Sequence, residues 1–102
     1  MQTRFIWDEA KNRSNRRKHD ISFDTAAQAF FDPLHLTRAD GIVDGEQRWQ
    51  TIGLVNGVLL VLVAYAVLSE PDELIRIISA RKVTRQERRA YEEADEIEDH
   101  AL

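Results

Sequence analysis

The longest apolar run of the sequence, residues 58–68, constrains the fold more than any other feature. Its eleven residues are too few to cross a bilayer as a helix, which takes about 20, and they directly follow Asn56-Gly57. An Asn-Gly pair between two apolar stretches is the strongest short-range signal for a β-hairpin, because both residues of its turn need positive φ. We therefore predict a central strand over residues 58–67, covered on both faces and paired with a strand over residues 48–55.

Shorter signals on either side of this hairpin complete an α+β domain. Asp8 and Ser22 are suitable N-caps for two early helices, the first over residues 9–19. Thr84 and Glu87 form a capping box at the start of a last helix. The predicted order is β-α-α-β-β-β-β-α, with strands over residues 3–7, 34–38, 48–55, 58–67 and 74–82. We expect a single domain over residues 1–102, with a mostly antiparallel sheet and its helices on one face.

Several absences narrow the classes of function. The chain has no cysteine, which excludes disulfides, thiolate zinc sites and a cysteine nucleophile. His19, His35 and His100 show no zinc-ligand spacing with acids, and there is neither a glycine-rich phosphate loop nor a nucleophile elbow. No apolar stretch of signal-peptide length follows the N-terminus. We expect a cytoplasmic protein without metal, cofactor or membrane association.

Charge is distributed unevenly along the chain. The net charge is −4, but six of the eighteen acids lie in the last eleven residues. Without residues 92–102 the balance is 14 − 12 = +2, and two stretches, residues 11–18 and 76–89, contain eleven of the fourteen basic residues. A basic body with an acidic tail, which we expect to fray at its end, indicates a surface that faces a polyanion. Two solvated helix faces are the alternative interpretation.

Two elements bring chemically useful side chains together. Helical spacing places four of them on one face of the first helix: Lys11, Asn15, Lys18 and His19. On the last strand, alternation places Arg76 on the side opposite to Ser79 and Arg81. An arginine in such an apolar strand is costly to bury unpaired, so it has a partner, such as Glu46 or Asp72, or it opens onto a site.

These side chains suit RNA cleavage without a metal ion. The 2′-hydroxyl attacks the adjacent phosphorus, and the reaction needs a base, an acid and cations that stabilise the phosphoryl charge. Histidine is suited to proton transfer near neutral pH, and arginine clamps phosphate. Lys18 can stabilise charge or act as an acid, and Ser79 can donate a hydrogen bond. The structural alternatives are a helix-dipole partner for His19 and a purely structural role for the serine.

A further pattern runs through most of the chain. Its parts are residues 7–12 (WDEAKN) with Asn15 and Lys18-His19, residues 21–23 (ISF), Phe31-Asp32, residues 45–48 (GEQR), the strand 76–82 (RIISARK) and residues 84–92. In this order and spacing, the parts together resemble the BrnT family of toxins over about residues 5–92.

The resemblance implies a RelE-like fold and an endoribonuclease toxin of a bacterial type II toxin–antitoxin pair, which cleaves RNA and blocks translation. It implies a BrnA-type ribbon-helix-helix antitoxin as the protein partner, with operator DNA bound only through the toxin–antitoxin complex. Matched position by position, the candidate active surface comprises Lys18, His19, Arg76, Ser79 and Arg81. We assign acid–base chemistry to the histidine and phosphate binding to the two arginines.

The sequence departs from the family pattern at Asp20, where the family often has glycine, and this places a carboxylate beside His19. A second function is also compatible with the residues, namely a non-catalytic module of the same fold that binds antitoxin or RNA without cleavage. RNA cleavage by the purified protein distinguishes the two functions.

Overall fold

The computed structural model describes the backbone of residues 2–100 and the side chains of residues 2–94. The strands are β1 (Thr3–Ile6), β2 (Leu36–Val43), β3 (Glu46–Val55), β4 (Leu59–Ser69) and β5 (Glu73–Lys82). The helices are α1 (Glu9–His19), α2 (Phe23–Ala27), a 3₁₀ helix (Gln28–Phe31) and α3 (Arg85–His100). This α+β order is the predicted one. The fraying expected at the end of the acidic tail concerns residues outside this description.

The central hairpin is confirmed. Asn56 and Gly57 have φ values of 53° and 69°, and β4 lies in the middle of a five-stranded sheet of order β1-β5-β4-β3-β2. β1 is parallel to β5, whereas the other neighbouring strands are antiparallel. A second turn with positive φ falls at Asp44-Gly45. This turn connects β2 directly to β3. The two strands therefore extend to Val43 and from Glu46, closer to the turn than the predicted strands at residues 34–38 and 48–55.

Local hydrogen bonds fix where the long helices begin and end. The Asp8 carboxylate accepts from two backbone N–H groups of the first turn of α1, at 2.8 and 3.2 Å, and the helix ends at Asp20, whose φ is 58°. The capping box of α3 also forms. The Thr84 N–H donates to the Glu87 carboxylate at 2.9 Å, and the Glu87 N–H donates to the Thr84 hydroxyl at 3.1 Å.

Different helices pack against the two faces of the sheet. On one face, α2 and the 3₁₀ helix contribute Phe23, Ala26 and Ala29 to the main core. On the other face, a smaller cluster around Leu62 packs against Tyr91 of α3. The expectation that the helices share one face therefore holds for α2 and the 3₁₀ helix but is wrong for α3. This helix lies on the opposite face, because Ile52, Leu60 and Leu62 form a second apolar cluster there.

A bulge in β5 changes which side chains share a face. Ser79 pairs with Ala64 and Ile77 pairs with Tyr65, so Ile78 has no partner in β4. One extra residue reverses the alternation that follows it. The predicted separation of Arg76 from Ser79 and Arg81 is therefore wrong. All three pair with residues on the α3 side of β4 and lie on one face.

Gly53 of β3 lies directly beneath the 3₁₀ helix. A Cβ at this position would lie 2.3 Å from the backbone oxygen of Ala29. We expect Gly53→Ala to lower the free energy of unfolding by about 1–3 kcal/mol, because the helix must shift to admit one methyl group. Urea denaturation measures this loss. Adding Ala29→Gly is not expected to restore stability, since the nearest atom belongs to the backbone. Full recovery in the double variant would contradict this explanation.

Candidate functional site

On the face of the sheet that carries α3, the side chains change from apolar to polar along β4. Leu60 and Leu62 belong to the apolar cluster that α3 covers, and Ala64 and Ala66 follow them on the same face. Polar side chains from the adjacent strands lie in register with the two alanines: Gln50, Arg76 and Ser79. Short side chains in the middle and longer ones on both sides give the part of the face beyond α3 the form of a shallow trough, in which Ala66 is buried and Ala64 is half-buried.

One end of the trough is formed by two arginines that share a carboxylate. Arg76 of β5 donates through Nη2 to Oε1 of Glu46, and Arg48 of β3 donates through Nε to the same oxygen at 2.9 Å. The hydrogen bond from Arg76 is the main reason why the pKa of Glu46 lies below its ordinary value, and Arg48 adds to the effect. The interpretation of Arg76 as the ion-pair partner of Glu46 is therefore confirmed, and the pair opens onto the trough.

The other end repeats this arrangement with residues from α3 and β2. Arg81 donates through both Nη atoms to the two carboxylate oxygens of Glu87, at 2.8 and 2.9 Å. Arg38 of β2 lies 3.6 Å from the same carboxylate. The hydrogen bond from Arg81 lowers the pKa of Glu87 to about 2 despite burial, and the same bond raises the pKa of Arg81. A bidentate pair of this kind fixes the guanidinium plane.

We call this surface the arginine trough: Arg38, Arg48, Arg76 and Arg81 with Glu46 and Glu87 at its ends, and Ala64, Ala66, Gln50 and Ser79 between them. Four guanidiniums and two carboxylates leave it a formal charge of 4 − 2 = +2. A guanidinium has five N–H donors, so each arginine retains donors beyond those that hold it in place. The trough can therefore bind an anion without breaking its ion pairs.

The side chain of Asn15 connects α1 to the edge of the sheet by hydrogen bonds. β1 pairs with β5 only as far as Arg76, which leaves the following edge of β5 without a strand. Asn15 fills this gap, because its Nδ2 donates to the Ala80 carbonyl at 2.8 Å and its Oδ1 accepts from the Ala80 N–H at 3.1 Å. Nδ2 also donates to the Ile21 carbonyl at 2.9 Å. The side chain thus replaces a neighbouring strand and anchors the helix at the sheet edge.

A pocket of about 220 Å³ opens where α1 meets β5. Lys11, Lys18 and His19 line it from the helix, and Ser79 lines it from the strand. Ser79 is exposed and also lies on the trough face, between the positions of the two β5 arginines. The pocket and the trough are therefore adjacent and meet at this serine.

The five residues predicted for the site fall into two groups. Lys18, His19 and Ser79 line one pocket, whereas Arg76 and Arg81 do not line it and face the trough. The two groups meet only through the serine. Their roles in catalysis remain predictions. The position of His19 in the basic last turn of α1 is also compatible with the helix-dipole alternative.

Sequence reasoning assigned no function to three charged members of the trough, Arg38, Arg48 and Glu87. Glu87 was predicted only as a helix cap, and one carboxylate oxygen does serve that purpose. One sequence feature could have indicated its role in the trough. Glu87 follows the end of the strand motif at Lys82 by five residues, and the chain turns between them so that α3 passes back over β5. Arg38 and Arg48 depend on strand register, which the sequence left open.

Two absences apply to the described part of the chain. Within it, no three His, Cys, Asp or Glu side chains are grouped so that they could hold a metal ion. No helix there has both the length and the apolar character to span a membrane.

The fold and this site together define a class, a small α+β protein with a cationic trough on one face of its sheet. Comparisons with known proteins place the chain more closely. The family model described as the ribonuclease toxin BrnT of type II toxin–antitoxin systems matches residues 7–87. The chain therefore belongs to the BrnT toxin family, as its motifs had indicated.

A solved structure supports the fold. The chain is similar to the ribonuclease toxin BrnT of Brucella abortus, known from a crystal structure at 1.1 Å resolution, with a TM-score of 0.60 and 23% sequence identity. The similarity covers 83% of this chain and 100% of that one. A comparison with curated proteins finds no match.

Proposed function

We propose that this protein is a toxin that cleaves RNA phosphodiesters in the cytoplasm without a metal ion and thereby blocks translation. The observation that supports this most strongly is the junction at Ser79, where the pocket that holds His19 and Lys18 meets the arginine trough. Membership of a ribonuclease toxin family supports the same reaction class. The junction offers phosphate-binding cations and a group for proton transfer at one place on the surface.

In the proposed reaction, O2′ of one nucleotide forms a bond to the adjacent phosphorus and the bond from phosphorus to O5′ breaks. The 2′-hydroxyl proton passes to a base, and the departing O5′ receives a proton from an acid, so a cyclic phosphate and a free hydroxyl remain. His19 serves in proton transfer. Arg76, Arg81 and Lys18 stabilise the negative charge on the phosphoryl oxygens, and Ser79 donates a hydrogen bond to one of them.

The RNase activity of the purified protein tests this proposal directly. We expect cleavage of an RNA oligonucleotide in excess EDTA, with cyclic phosphate and 5′-hydroxyl ends. His19→Ala is expected to slow cleavage about 10²–10⁴-fold, the usual contribution of a positioned acid or base. Gel analysis of end-labelled RNA measures both results.

His35→Ala is the matched control, because His35 is exposed and lies in the loop between the 3₁₀ helix and β2, away from the junction. This variant should cleave RNA at the rate of the wild-type protein. Cleavage that stops in EDTA would refute metal independence, and equal rates for the two histidine variants would remove His19 from the reaction.

The partner proposed for this toxin is a BrnA-type antitoxin with a ribbon-helix-helix domain. A type II toxin requires a protein antitoxin, and the family of this chain is of that type. Operator DNA would be bound by the antitoxin within the complex. Co-expression with the product of an adjacent reading frame of that type should relieve the growth arrest that the toxin causes alone.

One observation favours the non-catalytic alternative. Every arginine of the trough contacts a carboxylate, and His19 lies in the neighbouring pocket rather than in the trough. A surface of this kind can bind RNA electrostatically, with an affinity that falls as salt increases. Salt-sensitive binding with RNA that stays intact after long incubation would establish this function instead.

A further inference from the structure

We propose that Glu87 is a positioning residue of the arginine trough, which holds Arg81 and Arg38 in the orientation that the cleavage reaction needs. This inference rests on the proposed nuclease function. In the sequence, Glu87 is explained completely by its place in the capping box of α3. The structure shows that capping uses only part of its hydrogen-bonding capacity.

The contacts of the carboxylate separate its two roles. Oε1 accepts from the Thr84 N–H at 2.9 Å, which is the cap, and from Nη1 of Arg81 at 2.8 Å. Oε2 accepts from Nη2 of Arg81 at 2.9 Å and lies 3.6 Å from Nη2 of Arg38. One oxygen therefore links the helix start to β5, and the other oxygen is used only by the arginines.

Topology explains why such a link is needed. Arg81 belongs to β5 and Arg38 to β2, and β4 and β3 lie between these two strands. Arginine side chains are long, and those on exposed strands sample many rotamers. Only 12% of the Glu87 side chain is exposed, and it contacts both guanidiniums. It limits the motion of Arg81 through two hydrogen bonds. It adds an ion-pair contact to Arg38, whose Nε donates to Gln50 Oε1 at 2.8 Å.

The two roles can be tested apart by different substitutions. Glu87→Gln retains an oxygen that can cap α3, since glutamine also serves in a capping box, but it removes the charge and one of the two acceptor oxygens. Thr84→Ala removes the hydroxyl that accepts from the Glu87 N–H and leaves the carboxylate on Arg81. Glu93→Gln makes the same charge change at an exposed position of α3.

We expect Glu87→Gln to lower kcat for RNA cleavage about 10–100-fold, with KM changed by less than about threefold, because misplacement of a charge-stabilising group affects mainly the transition state. Thr84→Ala and Glu93→Gln should retain kcat at the wild-type level. In an Arg81→Ala background, Glu87→Gln should have a much smaller further effect, since only the 3.6 Å contact with Arg38 remains. A purely structural role would lower thermal stability in both backgrounds and leave kcat unchanged.

Different failures lead to different conclusions. Wild-type protein that cleaves no RNA would refute the nuclease function and the positioning role with it. Wild-type cleavage that Glu87→Gln leaves unchanged would refute the positioning role alone. A Glu87→Gln variant that binds and cleaves RNA better than wild type would also refute the positioning role. That result would show that the carboxylate competes with phosphate for Arg81.

Discussion

Replacing Arg81 with alanine is expected to reduce RNA cleavage about 10²–10³-fold, the typical effect of removing one preorganised donor from a developing negative charge. The effect should be large because Glu87 fixes this guanidinium through two hydrogen bonds, so it is oriented before RNA binds. The loss should appear mainly in kcat, measured with an RNA oligonucleotide at several concentrations.

Arg16→Ala is the matched control for this variant. Arg16 is exposed in α1 and lies with Arg13, Arg17 and Asp20 on a different part of the surface. Its loss changes the net charge by the same amount but leaves the trough intact. We expect less than about a threefold change in cleavage, of the size that long-range attraction of RNA produces. Equal losses in the two variants would show that only the overall charge matters.

Replacing Asn15 with alanine is expected to lower the free energy of unfolding by about 2–4 kcal/mol. The substitution breaks three hydrogen bonds of a buried side chain and leaves the N–H and carbonyl of Ala80 without their partner. α1 has few apolar side chains to hold it otherwise. We also expect loss of the pocket beside Ser79, and with it slower RNA cleavage. Urea denaturation and the cleavage assay measure the two effects.

Arg17→Ala serves as the control for the loss of stability. Arg17 is exposed in the same helix, so this change should alter the free energy of unfolding by less than about 0.5 kcal/mol. If Asn15→Ala is as stable as Arg17→Ala, the amide does not anchor α1, and some other contact must hold the helix against the sheet.

The elements with strong local signals were predictable. Asn56-Gly57 specified the central hairpin, and Asp8 and Thr84 specified where two helices begin, because each signal acts over a few residues. The family motifs also placed candidate site residues on α1 and β5. Interactions between residues close in the sequence were sufficient to predict these features, and the predicted order of the helices and strands is confirmed.

Features that depend on distant contacts were not predictable. The bulge at Ile78 is invisible in a strand that reads as regular alternation, yet it decides that Arg76 lies on the same face as Ser79. The placement of α3 depends on an apolar cluster that β3 and β4 build together. The contacts of Arg81 and Arg38 with Glu87 could not be predicted either, because they form only when α3 passes back over the sheet. Each depends on register or packing between residues far apart in the sequence.

The anchoring of α1 has a consequence for synthesis of the protein. Asn15 and its partner Ala80 are separated by 65 positions in the chain, and bringing such distant residues together has an entropic cost that grows with the length of the loop. The two hydrogen bonds between Asn15 and Ala80 form only when both residues are present, so the pocket between α1 and β5 is completed only after the chain has been made past residue 80. The surface proposed to cleave RNA is therefore assembled only after β5 has been synthesised.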